Sequence, residues 1–153
     1  FDTVENIHKN HILAITHVPA TISEKSREAA STIATKIADA LNIQGVLAIE
    51  MFLTRSGEIL VNELAPRPHN SGHWTIDACN TDQFQQLIRA ICGLPLTTPK
   101  RWADAEMINL IGDDIEQTPD YLEMPNAHLH LYGKREVRAG RKMGHVTIVK
   151  PLS

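Results

Sequence analysis

The stretch Gly45-Val-Leu-Ala-Ile-Glu50-Met-Phe-Leu53-Thr-Arg-Ser56-Gly57-Glu58-Ile-Leu-Val-Asn62-Glu63-Leu64 decides the fold. Two apolar runs of strand length flank a short loop whose Ser56-Gly57 pair is a turn signal, so the segment reads as a β-hairpin. Pro66 and Pro68 end its second strand. Working back toward the N-terminus, Ala30, Ile33, Ile37 and Leu41 recur at three- and four-residue spacing behind Ser23, a good N-cap. That pattern predicts an amphipathic helix of about five turns. The first twenty residues mix β-branched and polar types and read as one or two strands ending at Pro19. Working forward, Asp82 near its start and Gly93 at its stop predict a second helix over Thr81 to Cys92. The segment Leu94-Pro-Leu-Thr-Thr-Pro99 reads as a boundary. Beyond it, strand candidates at Glu106–Ile111, Ala127–Tyr132 and His145–Val149 predict a small, mostly β module. The class expected is α+β, divided into residues 1–96 and 97–153.

Composition narrows the function. The 153 residues are 42% hydrophobic and 22% charged, ordinary for a globular protein rather than a disordered one. Fifteen Lys and Arg against eighteen Asp and Glu leave a formal charge of −3, without the basic excess of a dedicated nucleic-acid binder. No apolar run has membrane-spanning length, so no membrane partner is expected. Cys79 and Cys92 read as free thiols of a reducing cytoplasm. The chain opens on Phe1 rather than Met, which reads as a piece of a longer chain.

The chemistry concentrates between Glu50 and His73. Glu50 interrupts an apolar strand and Glu63 lies in the facing one. Two carboxylates on adjacent strands repel and are costly to bury, and a divalent cation removes both problems. Mg²⁺ suits the place, because it combines one or two carboxylates with phosphate oxygens. Alternatively both side chains point to water, since a one-residue register shift exchanges faces. Arg67, stiffened between Pro66 and Pro68, suits bidentate recognition of phosphate or carboxylate. His69, Asn70, Ser71 and His73 follow in a polar loop, where backbone N–H groups favour anions. A zinc pair of His69 and His73 is the weaker reading of their spacing, and a solvated loop the plainest. Near the C-terminus, Lys134, Arg135, Arg138, Arg141 and Lys142 fall among Gly133, Gly140 and Gly144. This is either an anion pocket or a basic solvated loop; its glycine spacing is not that of a Walker A loop. His128 and His130 receive no role. The methionines read as packing residues, and Trp74 and Trp102 as core or lining.

The run Asn62-Glu-Leu-Ala-Pro-Arg67-Pro-His-Asn-Ser-Gly-His-Trp74, taken with Gly140-Arg-Lys-Met-Gly-His145, resembles the 5-(carboxyamino)imidazole ribonucleotide synthases of the ATP-grasp superfamily. Glu5-Asn-Ile-His8 adds to the likeness, which extends over the whole chain. The resemblance implies the C-terminal half of an ATP-grasp domain followed by a small β domain, with the N-terminal substrate domain and the nucleotide-clamping lysines lying outside this chain. It implies ATP and Mg²⁺ as cofactors, and aminoimidazole ribonucleotide and bicarbonate as substrates. Bicarbonate would attack the γ-phosphate, giving carboxyphosphate, and the exocyclic amine would then take the carboxyl group. By the same resemblance Glu50 and Glu63 are the metal carboxylates, and Asn62, Glu63 and His8 contact ATP. Arg67, His69 and Asn70 are the catalytic loop; with Ser71 and His73 they meet bicarbonate and the imidazole. Lys134, Arg141 and Lys142 grip the ribonucleotide phosphate. Ala65 stands where many ATP-grasp enzymes place a metal-binding Asn. A cytoplasmic homodimer is implied for the intact enzyme. The reading from another class is a non-catalytic anion-binding module that keeps the fold.

Overall fold

The computed structural model describes residues 1–152 and is α+β, with two antiparallel sheets and four α-helices. Strands β1 (Glu5–Lys9) and β2 (Ile12–Val18) form a hairpin whose two-residue turn puts Asn10 and His11 at φ of 51° and 62°. A turn with both central residues left-handed matches strand twist, and Asn tolerates it well. Helix α1 (Glu24–Ala40) begins as the sequence predicts, with the Ser23 hydroxyl accepting from the Ser26 N–H. Strands β3 (Ala48–Leu53) and β4 (Ile59–Ala65) form the expected second hairpin, with Gly57 at φ 85° in its loop.

After β4 the chain makes a 3-10 turn at Asn70–Gly72, the four-residue helix α2 (Thr75–Ala78), and α3 (Gln83–Ile91), N-capped by Asp82 through the amides of Phe84 and Gln85. The second predicted helix is thus present. The short α2 and the later helix α4 (Thr118–Leu122) were not foreseen, because four or five residues carry too little periodicity to read. Strands β5 (Asp104–Ile111), β6 (Ala127–Leu131) and β7 (Lys142–Lys150) match the three later candidates, β7 beginning three residues earlier than expected.

The larger sheet has the order β1-β2-β5-β7-β6. Its pairing runs across residue 97, because β2 pairs with β5, Ile15 opposite Ile108. One face carries the core of Val18, Trp74, Ala78, Ala103, Ala105 and Met107. Trp74 is 1% exposed, while Trp102 is 54% exposed and is no core residue. Gly144 in β7 is obligatory for a steric reason: an added Cβ would sit 2.4 Å from the His130 carbonyl oxygen.

The hairpin β3–β4 stands apart as a two-stranded sheet, against which α1 packs. Its apolar side chains are largely open; Phe52, Leu53, Leu60, Val61 and Leu64 are all exposed. The expectation of two carboxylates in a buried hairpin is therefore corrected. Two strands and one helix cannot enclose both faces of a sheet.

Candidate active site

Register decides the first question. Glu50 lies directly opposite Glu63 in the β3–β4 ladder, just before a bulge at Glu50/Met51. Directly opposed residues project to the same face, so the two carboxylates share a side. The Glu50 side chain is 20% exposed and Glu63 is exposed. Like charges placed directly across a ladder are destabilising, and a bound dication reverses the sign of that interaction. The pair therefore fits a hard divalent cation.

The loop after β4 brings a histidine to this pair. His69 Nε2 lies 3.8 Å from Glu50 Oε1, with the ring only 12% exposed. The Ser71 amide donates to His69 Nδ1, and the Ser71 hydroxyl is 2.8 Å from the same nitrogen. Nδ1 thus accepts, and the proton of the neutral ring sits on Nε2, facing Glu50. Burial lowers the His69 pKa; Glu50 and, more weakly, Glu63 oppose that, while Arg67 and Lys142 reinforce it. Burial likewise lowers the pKa of Lys142, with Lys134 and Arg67 adding to it and Glu50 opposing. Glu50, Arg67, His69, Lys134 and Lys142 thus fall within one electrostatic neighbourhood of mixed charge.

Other predicted residues are placed differently. Asn70 spends both ends of its carboxamide on Asn109: its Nδ2 donates to Asn109 Oδ1 (2.8 Å) and its Oδ1 accepts from Asn109 Nδ2 (2.6 Å). Asn109 Nδ2 also donates to the Leu13 carbonyl, tying the loop to β5 and β2. His73 turns away from the carboxylates, its ring 5.0 Å from that of His145 and 5.7 Å from that of Phe84. Arg67 is exposed and donates to the Pro68 carbonyl. Arg141 Nη1 donates to the Glu136 carbonyl within its own loop, and Lys134 Nζ donates to the Lys142 carbonyl. Asn62 is exposed beside Glu63. His8 is exposed on β1, the edge strand of the other sheet.

Behind the loop lies a cluster that sequence reasoning missed. His130 and His145 are cross-strand neighbours with rings stacked at 4.5 Å. His130 Nε2 is 2.9 Å from Asp77 Oδ2, and the Tyr132 hydroxyl is 2.9 Å from His145 Nδ1. Asp77, His130 and His145 each offer a ligand atom within 4.8 Å of the others. The two ring planes differ by only 10°, however, so their in-plane lone pairs run side by side and do not converge on one ion. This is a packing arrangement, and its sequence signal was the alternation of His128 and His130 opposite a lone His145.

The buried rings carry a stability consequence. Burial lowers the pKa of His73 to about 4 and of His145 to about 3. Above the unfolded value, about 6.5, both rings are neutral folded and unfolded, and pH has no effect through them. Below it the unfolded chain takes protons that the folded chain refuses. Stability should therefore fall on acidification from about pH 6.5 toward pH 4, by at most about 1.4 kcal/mol per pH unit for each ring. Urea unfolding near neutrality and near pH 5 checks the sign.

The ATP-grasp domain model matches residues 1–84, and the phosphoribosylaminoimidazole carboxylase C-terminal domain model matches residues 105–152. The chain belongs to the ATP-grasp family. N5-carboxyaminoimidazole ribonucleotide synthase of Brucella melitensis is 57% identical over 151 residues, covering 99% of this chain and 42% of that protein. A crystal structure of an ADP complex of N5-carboxyaminoimidazole ribonucleotide synthetase superposes with a TM-score of 0.95 at 50% identity, over 99% of this chain and 41% of that one. The Aspergillus clavatus enzyme, solved with ADP and 5-aminoimidazole ribonucleotide, superposes at 0.92 and 35% identity, over 97% and 42%. This ATP-grasp chain therefore spans about two fifths of the length of the relatives it matches. Among its described residues no helix is long and apolar enough to cross a membrane.

Proposed function

We propose that this ATP-grasp chain supplies the metal-carboxylate and substrate-loop half of an enzyme that carboxylates 5-aminoimidazole ribonucleotide, using ATP and bicarbonate. The observation that carries the reading is the direct opposition of Glu50 and Glu63, with His69 delivered to the same edge. Glu50 and Glu63 would hold Mg²⁺, which when bound offsets the charge of the ATP phosphates. Asn62, beside Glu63, borders the nucleotide, and His8 is proposed as a further nucleotide contact. Arg67, exposed and stiffly held, stabilises the anionic carboxyphosphate formed when bicarbonate oxygen bonds to the γ-phosphorus and ADP leaves. His69, protonated on Nε2, turns that N–H toward the Glu50 edge, where it would donate to bicarbonate and orient it. Ser71 holds that histidine through Nδ1, Asn70 anchors the loop through Asn109, and His73 backs the imidazole subsite. Lys134, Arg141 and Lys142 supply the cationic wall for the ribonucleotide phosphate. We propose further that residues 1–96 are the C-terminal subdomain of the ATP-grasp domain and 97–153 the small C-terminal β domain, in a cytoplasmic homodimer without a nucleic-acid partner.

The test is ADP formation by the full-length protein that carries this chain. ADP release should require bicarbonate and rise in the presence of 5-aminoimidazole ribonucleotide, with the carboxylated product formed in equal amount. ATP bound without bicarbonate-dependent turnover would instead favour a non-catalytic anion-binding module.

A further inference from the structure

The loop 69–73 is held by a residue from another element, Gln83, the first residue of α3. Gln83 is 5% exposed. Its Oε1 accepts the His69 backbone N–H at 2.8 Å, and its Nε2 donates to the His69 carbonyl at 2.9 Å. This two-point contact lets the amide lie only one way round, because exchanging O and N would set donor against donor and acceptor against acceptor. The same Nε2 lies 2.8 Å from His73 Nδ1. An amide nitrogen only donates, so His73 Nδ1 must accept, and the proton of that ring sits on Nε2. A second tie runs through Thr75, whose hydroxyl donates to the Gly72 carbonyl at 2.6 Å and accepts the Gln83 backbone N–H at 3.2 Å. Gly72 completes the fit: a Cβ there would stand 2.7 Å from Gln83 Oε1 and 3.0 Å from its Cδ.

We propose that Gln83 is the positioning residue of this site: its carboxamide sets the backbone at His69, and with it the approach of that ring to Glu50, and it imposes the Nε2-protonated tautomer on His73. The inference rests on the functional reading above only for its effect on turnover; the tautomer stands on the hydrogen bonds alone. Gln83 touches no reacting atom. It acts through two histidines, and a displacement of about 1 Å in such a group is enough to cost on the order of 100-fold in rate.

Two readouts on the full-length protein test it. The first is long-range ¹H–¹⁵N correlation of the labelled histidine rings. Wild-type His73 should carry its proton on Nε2. In Gln83→Glu, whose carboxylate can only accept, the proton should move to Nδ1. The second is steady-state kinetics of Gln83→Glu and of Gly72→Ala, which displaces the carboxamide without changing it. Both should lose kcat by about ten-fold or more, with the KM for ATP changed less than about two-fold, since the nucleotide-side carboxylates are untouched. A role in folding alone would lower the unfolding midpoint and leave the tautomer and the kcat-to-KM pattern as in wild type. Wild-type His73 protonated on Nδ1 overturns the proposal even if every variant fails to fold. A folded Gln83→Glu protein with unchanged tautomer and kcat overturns it as well. If the wild-type protein turns over no ATP with bicarbonate, the functional reading fails, and the tautomer result still decides what Gln83 does.

Discussion

Glu63→Gln in the full-length protein should reduce bicarbonate-dependent ADP formation by at least about 100-fold while leaving the unfolding midpoint unchanged or slightly raised. Turnover falls because one of two opposed carboxylates no longer helps offset the phosphate charge, and charge stabilisation of this kind is worth about 3–4 kcal/mol per donor group. Stability does not fall because Glu63 is exposed, and removing its charge relieves the repulsion from Glu50 across the ladder. Glu50→Gln should lose similar turnover but behave differently in structure, since its carboxylate also faces His69 Nε2 at 3.8 Å. The opposite signs on activity and stability are the diagnostic. A hairpin whose carboxylates merely faced water would leave turnover unchanged. Steady-state ADP release and urea unfolding of the two variants supply the comparison.

The largest effect on stability belongs to Trp74→Ala. The indole is 1% exposed, packed with Val18, Ala78, Ala103, Ala105 and Met107 between the β2–β5 ladder and α2. Truncating a buried Trp costs about 3–5 kcal/mol, a large share of the roughly 5–15 kcal/mol that holds a domain folded. The residue also follows His73 directly, and its carbonyl accepts from the amides of Asp77 and Ala78. Its loss should therefore loosen the 69–73 loop as well as the core. The expected outcome is a sharply lowered urea midpoint together with faster amide exchange at Ser71–His73. Trp102→Ala serves as the contrast, since that ring is 54% exposed and should cost little.

Much of this architecture was legible because its determinants are local. Helix α1 announced itself through Ser23 and the Ala30–Leu41 stripe, and the β3–β4 hairpin through two apolar runs and Gly57. The opposition of Glu50 and Glu63 was less legible: the register at the turn, Leu53 opposite Ile59, would set Glu50 against Asn62, and only the bulge at Glu50/Met51 brings Glu63 across from it. What the sequence hid is long-range. Asn70 lies 39 residues from Asn109, which occupies its carboxamide, and Gln83 lies 14 residues from the His69 backbone that it clamps. Neither pairing leaves a periodic signal. His145 looked like one letter of a basic motif, and only the strand register puts it against His130. The hairpin misled in one respect. An apolar strand pattern signals a face that prefers cover, and it cannot say whether this stretch of chain provides that cover. Here Phe52, Leu60 and Val61 stay exposed. The contact of Arg141 Nη1 with the Glu136 carbonyl of its own loop was equally hidden, since a cation in a glycine-rich loop announces no particular acceptor.

The account depends most on Glu50 and Glu63 jointly holding a divalent cation, and anomalous diffraction from Mn²⁺ in crystals of the full-length protein with a non-hydrolysable ATP analogue tests that most directly. The prediction is a manganese peak in contact with oxygens of both carboxylates, at roughly the 2.0–2.2 Å of a hard-cation contact, and lost in Glu63→Gln. A peak coordinated by the analogue's phosphates alone, unchanged in Glu63→Gln, would contradict it.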